Sequence, residues 1–166
     1  MLMLKSVLVP LDGSPLAQMA LDTAEQIVDP GCEITLLTVV QPLDFPITIA
    51  ATVVVTNSDY AALEESKRES QKYLEGIAQG LRDRGFRARV RVETGDPAHV
   101  IAETTAALNV DMVIMTTHGR TGISRWLYGS VTARVLNLIS KPVLVIPNVH
   151  RQDKLDPDPA DMNSGS

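Results

Sequence analysis

The chain carries one cysteine, Cys32, among 166 residues, so no internal disulfide can form. Cys32, His99, His118 and His150 do not fall at metal-ligand spacing either. Nothing in that pattern calls for an oxidising compartment, and the cytoplasm is the expected location. Basic charge is short as well: 15 Lys and Arg stand against 20 Asp and Glu, a net charge of -5, with the arginines interleaved among acids. Without a basic stripe, nucleic acid is not expected as a partner. Long apolar runs are also missing. The longest, Ile47 to Val55, is nine residues including two threonines, against roughly 20 for a helix that crosses a bilayer. The opening M-L-M-L-K-S-V-L-V-P has no basic region followed by a long apolar core, so neither a secretory leader nor a membrane partner is expected.

What is present, 45% hydrophobic and 21% charged residues, suits one globular domain over about residues 1–147. Lys5 to Leu11 is short, β-branched and apolar on both faces, as an interior parallel strand must be. Ser14 then offers a helix cap before Pro15, which leaves Asp12 at the strand's carboxyl end. Leu16, Ala20, Ala24, Ile27 and Val28 recur at helical spacing as far as Pro30-Gly31, and Glu33 to Val40 reads as a second interior strand. Ser58 to Arg84 predicts a long helix with Tyr60, Leu63, Leu74, Ile77 and Leu81 on its inner face.

Phe86 to Glu93 alternates strictly, which puts Arg87, Arg89 and Arg91 on one face, the pattern of a solvated edge strand more than of an anion site. Asp96-Pro97 opens a third helix with Val100, Ile101, Ala107 and Leu108 inward. Asp111 to Thr116 is a fourth strand, Ser130 to Ser140 a fourth helix facing inward through Val131, Val135, Leu138 and Ile139, and Pro142 to Pro147 a fifth strand. Residues 41–57 have no helical period and form an insertion: a flap over a cleft, a subunit contact, an extra strand or a loop packed on its own domain. After Pro147 the composition predicts a flexible tail, residues 148–166.

Strands alternating with helices imply an α/β protein, a five-stranded parallel sheet doubly wound by helices. If the first and fourth strands are neighbours where strand order reverses, their carboxyl ends form a crevice. Facing Asp12 there would be residues 115–130, M-T-T-H-G-R-T-G-I-S-R-W-L-Y-G-S. Gly119, Gly122 and Gly129 permit close backbone approach, Arg120 and Arg125 add positive charge, and Ser130 sits at the expected N-cap of the next helix. Unpaired first-turn N–H groups and the positive end of the helix dipole favour a bound phosphate. The plain alternative is a tight connection only. Within the loop, His118 reads as a positioning residue, and Trp126 and Tyr128 as packing groups.

Gly119, nine intervening residues, then Gly129-Ser130, together with the opening V-L-V-P-L-D-G-S and the closing S-V-T-A-R-V-L-N-L-I-S-K-P-V-L-V-I-P, resemble the universal stress protein family over nearly all of residues 3–147. The resemblance implies the sheet order 3-2-1-4-5, adenine-nucleotide alpha-hydrolase-like, and an ATP ligand, or ADP or AMP, with Mg²⁺ accompanying the phosphates. It implies Pro10, Leu11 and Asp12 near base and ribose, and Val39 lining the adenine pocket. Met115, Thr116, Gly119, Arg120, Gly129, Ser130 and Val131 would complete the ribose and phosphate contacts. Thr116 stands where the family's binding pattern begins with glycine, so a β-carbon and a hydroxyl lie where backbone would otherwise meet ligand. Homodimers paired through the last strand, here Val143–Ile146, are implied too.

Three functions follow: a nucleotide-binding stress-response regulator, a slow ATPase, and an interaction module with an empty crevice. Fast chemistry is disfavoured because the sequence offers the crevice only Asp12 as an evident carboxylate. A phosphoacceptor receiver would need an acidic cluster after the first strand. A flavodoxin would need its phosphate loop there, and no Walker lysine motif occurs.

Overall fold

The computed structural model describes residues 4–42, 57–117 and 129–147. The insertion between 43 and 56, the loop 118–128 with Gly119, Arg120, His118, Trp126 and Tyr128, and the tail 148–166 lie outside the described residues. The elements are β1 (Ser6–Pro10), α1 (Pro15–Ile27), β2 (Glu33–Val40), α2 (Asn57–Asp83), β3 (Arg87–Thr94), α3 (Pro97–Leu108), β4 (Met112–Thr116), α4 (Ser130–Leu138) and β5 (Val143–Ile146). All strand pairs are parallel, in the order β3-β2-β1-β4-β5.

Strand pleating divides the core in two. Val7, Val9, Ile34, Leu36 and Ile114 meet Ala17, Ala20 and Leu21 of α1 and Leu74, Ala78 and Leu81 of α2 on one face. Leu8, Leu37, Val113 and Met115 meet Ala98 and Ile101 of α3 and Val135 of α4 on the other. Full burial of each large aliphatic side chain is worth about 1.5–3 kcal/mol, so helices on both faces are what these two-sided apolar strands require. The doubly wound sheet and the strand order agree with expectation.

Local chemistry sets most element ends. Ser14 caps α1, its Oγ accepting from Ala17 N at 3.2 Å, with Pro15 in the first turn. Asp96 caps α3 by accepting from His99 N at 3.1 Å. β3 lies at the sheet edge, and its arginines pair with acids, Arg89 with Glu33 at 2.9 Å and Arg91 with Glu93 at 3.3 Å. That is the solvated face its alternation predicts.

Several inner faces differ from the helical spacing. Tyr60 is exposed at 62% and Ile27, in the last turn of α1, at 44%. In α3 the buried positions include Thr104 and Thr105 in place of Ala107, with Thr105 Oγ1 donating to Ile101 O at 2.7 Å, so the hydroxyl is satisfied within the helix. α4 ends at Leu138, whose side chain is 44% exposed.

No helix among the described residues is long and apolar enough to cross a membrane. Nor do they contain a group of three or more His, Cys, Asp or Glu placed to hold a metal ion.

Candidate functional site

Strand order reverses between β1 and β4, and there the carboxyl ends of β1, β2 and β4 open onto a cavity of about 730 Å³. That volume suits a small-molecule ligand. The floor is apolar, from Leu37, Val39 and Met115, while its walls are loop and helix ends.

The first wall is the turn after β1. Leu11 N donates to Leu37 O at 2.8 Å, and Thr38 Oγ1 donates to Leu11 O at 2.8 Å, which pins the turn to β2. Gly13 takes a φ of 77°, a conformation that would strain any residue with a β-carbon. Asp12 Oδ1 accepts from Ser14 N at 3.0 Å, so the carboxylate is oriented at the cavity's rim yet exposed.

The second wall is the start of α4. The expectation that Ser130 caps this helix does not hold: Gly129 is the N-cap, with φ -49° and ψ 150° and no side-chain cap bond, and Ser130 is the first helical residue. The first helical hydrogen bond runs from Ala133 N to Gly129 O at 3.0 Å. The N–H groups of Ser130, Val131 and Thr132 therefore have no partner within the helix, and all three residues border the cavity. A glycine cap brings no side-chain oxygen to compete for them, which leaves the positive end of the dipole to an external anion.

Two tethers hold this helix start in place. Thr132 Oγ1 donates to Thr116 O at 3.2 Å, joining α4 to the end of β4. Arg134 grips Asp96 through two bonds of 2.7 and 2.8 Å, joining α4 to the cap of α3. The Arg134 bonds, and then the His99 N–H, hold the Asp96 carboxyl below the usual carboxylate range.

Of the positions singled out in the sequence, Pro10, Leu11, Asp12, Val39, Met115, Thr116, Gly129, Ser130 and Val131 come together around the cavity. Gly119 and Arg120 lie outside the described residues. A third wall was not foreseen: Ser66, Glu69 and Ser70 of α2. Glu69 means that Asp12 is not the crevice's sole carboxylate. The available signal was length, since 27 residues of α2 span about 40 Å at 1.5 Å per residue, while the eight of β2 reach only about 26 Å.

Residues 3–147 match the model of the universal stress protein family. Universal stress protein MJ0577 of Methanocaldococcus jannaschii is 36% identical over 78 residues, a match that spans 47% of this chain and 48% of that one. Its solved structure superimposes with a TM-score of 0.77 and 27% identity over 90% of this chain and 99% of that one. Universal stress protein YxiE of Bacillus subtilis is 26% identical over 87% of this chain and 99% of its own. A universal stress protein of Arabidopsis thaliana with AMP bound shares the fold, with a TM-score of 0.62 and 20% identity over 92% of this chain and 97% of that one.

Proposed function

The chain belongs to the universal stress protein family, and from that premise we propose that it binds an adenine nucleotide, ATP or its di- or monophosphate, in the crevice. It thereby acts as a homodimeric stress-response regulator in the cytoplasm. The observation that carries the reading is the first turn of α4, where among the described residues three N–H groups behind a glycine cap have no hydrogen-bond partner at the edge of a ligand-sized cavity. Phosphates lie against Gly129, Ser130 and Val131, with Mg²⁺ as their counterion and Arg120 as a further positive group. The ribose meets Asp12 and Thr116, and the base lies against Val39 over the apolar floor. The AMP held by the Arabidopsis relative is in keeping with this class of ligand.

Occupancy would change the shape of the loop from Thr116 to Gly129 and so a surface that partners read. Hydrolysis would be slow at most, because the described lining has carboxylates at Asp12 and Glu69 but no histidine, lysine or arginine. The homodimer would form through β5, an edge strand whose residues Val143–Ile146 are half-buried in the single chain.

The test is to denature freshly purified protein, identify released nucleotide by mass, and titrate ATP with Mg²⁺ into emptied wild type and Gly129→Trp by calorimetry. Binding by wild type and its loss in the variant supports the site. Absence of binding by wild type rejects it in favour of an interaction module. Sedimentation of wild type and of Val145→Pro, which interrupts the β5 edge, tests the dimer.

A further inference from the structure

The inner stripe of α2 changes character along its length. Ser66, Ser70, Leu74, Ala78 and Leu81 follow one another at three- or four-residue spacing, so they share one face. Leu74, Ala78 and Leu81 are fully buried against the sheet, whereas Ser66 and Ser70 border the crevice with Glu69 beside them. There the helix borders the crevice at the sheet's carboxyl edge, and where a core would demand bulk it presents two small hydroxyl side chains and a carboxylate, Ser66 and Glu69 being exposed and Ser70 half-buried. Nearby acids are engaged, Glu64 with Lys67 and Glu65 with Arg68. Among the described residues no hydrogen bond or salt bridge engages Glu69.

We propose that Glu69 is a specificity-determining residue that accepts a hydrogen bond from the exocyclic amine of a 6-aminopurine, with Ser66 and Ser70 leaving room for the base. The inference rests on the nucleotide reading above and deepens it. α2 packs on the face of the sheet opposite α3 and α4, so Glu69 and the anion-seeking start of α4 bound the crevice from opposite sides. A carboxylate repels phosphate and can only accept, so it must meet a donor on the neutral part of the ligand. Asp12 lies in the turn after β1, central in the sheet, and is placed for the ribose hydroxyls. α2 packs on β2, whose end carries Val39, so the donor nearest Glu69 is the amine of the base. A 6-oxopurine presents an acceptor at that position, and two acceptors facing each other are penalised because neither replaces the hydrogen bond it gave up to water.

The probes are AMP against IMP, and adenosine against inosine, titrated calorimetrically into the full chain as wild type, Glu69→Gln and Ser70→Leu, with thermal melts on each. Wild type is expected to prefer the 6-amino ligand by about tenfold or more in both pairs, the usual scale for a hydrogen bond to a charged group. Glu69→Gln is expected to narrow the ratio to about threefold or less, since a carboxamide can turn and donate to the 6-oxo group. Ser70→Leu extends the apolar stripe into the crevice and should weaken AMP by about tenfold or more, as buried bulk does where no space is left for it, without lowering the melting temperature. A wild type that binds AMP and IMP equally overturns the proposal before any variant is made. An amino preference that Glu69→Gln leaves intact also overturns it, while the nucleotide site stands. Failure of wild type to bind any of the four overturns both together.

Discussion

The two ends of the sheet are built on opposite plans. At the amino edge the ends of β1, β2 and β4 are tied together by the protein itself. Asp111 Oδ2 accepts from Lys5 N at 2.7 Å and Ser6 N at 3.0 Å, tying the start of β4 to β1, and Glu33 N donates to Lys5 O at 2.8 Å. Cys32 sits buried there, its thiol pushed up to about 11 by burial and then by the charges of Asp111, Asp29 and Glu33. At the carboxyl edge the corresponding groups are less fully engaged among the described residues: three first-turn N–H groups of α4 have no partner within the helix, Glu69 of α2 has no hydrogen bond or salt bridge, and Asp12 keeps one oxygen beyond its bond from Ser14 N. One end is satisfied and supports the fold. The other is less satisfied among the described residues and concave, as the proposed site requires.

If the contrast holds, changes at one end should alter binding and leave stability alone, and changes at the other should do the reverse. The largest expected effect is from Gly129→Trp, which fills the mouth of the crevice. It should weaken nucleotide binding about a hundredfold or more, equivalent to about 2.7 kcal/mol, and leave the melting temperature close to that of wild type. A variant that melts early while still binding would erase the distinction.

Next is Asp111→Ala at the closed end, which removes two charge-assisted bonds to backbone. Discounted for partial exposure, this should cost about 1–2 kcal/mol in chemical denaturation and leave affinity unaltered. The contribution depends on pH with a defined sign. The Lys5 and Ser6 N–H groups hold the Asp111 carboxyl below the ordinary value. Its stabilisation is therefore complete above the unfolded value, about pH 3.9, and is lost as pH falls through the lowered folded value. Acid unfolding of wild type and Asp111→Asn should thus converge at low pH and diverge above about pH 4.

A smaller effect is expected of Asp12→Asn. The amide can still accept from Ser14 N and keep the turn, so only charge and ribose recognition are lost. Calorimetry should show about a fivefold loss of affinity, in the range of a single hydrogen bond, with no change in melting. Smallest of all is the response of Cys32 to iodoacetamide at pH 8. A buried neutral thiol with its pKa near 11 should be alkylated only as fast as the chain unfolds, and rapid labelling of native protein would show that the amino edge is open after all.

What could be read in the sequence follows the range of the forces involved. The caps at Ser14 and Asp96 were legible because a cap needs only its own residue and the next turn. The arginine alternation of β3 was legible because strand period and edge position leave few other uses for it. The place of Ser66, Glu69 and Ser70 on the crevice was not. Each is an ordinary polar residue on a charged helix until the helix is laid across the sheet and its free end reaches the crevice. The cap of α4 was misplaced by one residue for a similar reason. Serine is the better cap by intrinsic preference, and only the packed structure sets Gly129 in the extended conformation that ends the loop. Apolar spacing does not mark Thr104 and Thr105 as core, because a buried hydroxyl is unfavourable unless satisfied, and the bond from Thr105 to Ile101 O is visible only in the folded helix.

By itself the sequence determined the alternation of elements, the two-sided apolar strands and the caps at Ser14 and Asp96, because these depend on periodicity and on chemistry within a few residues. Tertiary structure alone decided that Asp12, Glu69 and the first turn of α4 share one cavity. Three segments distant in the chain converge only when parallel pairing and right-handed crossovers set β1 beside β4 and carry α2 past the end of β2.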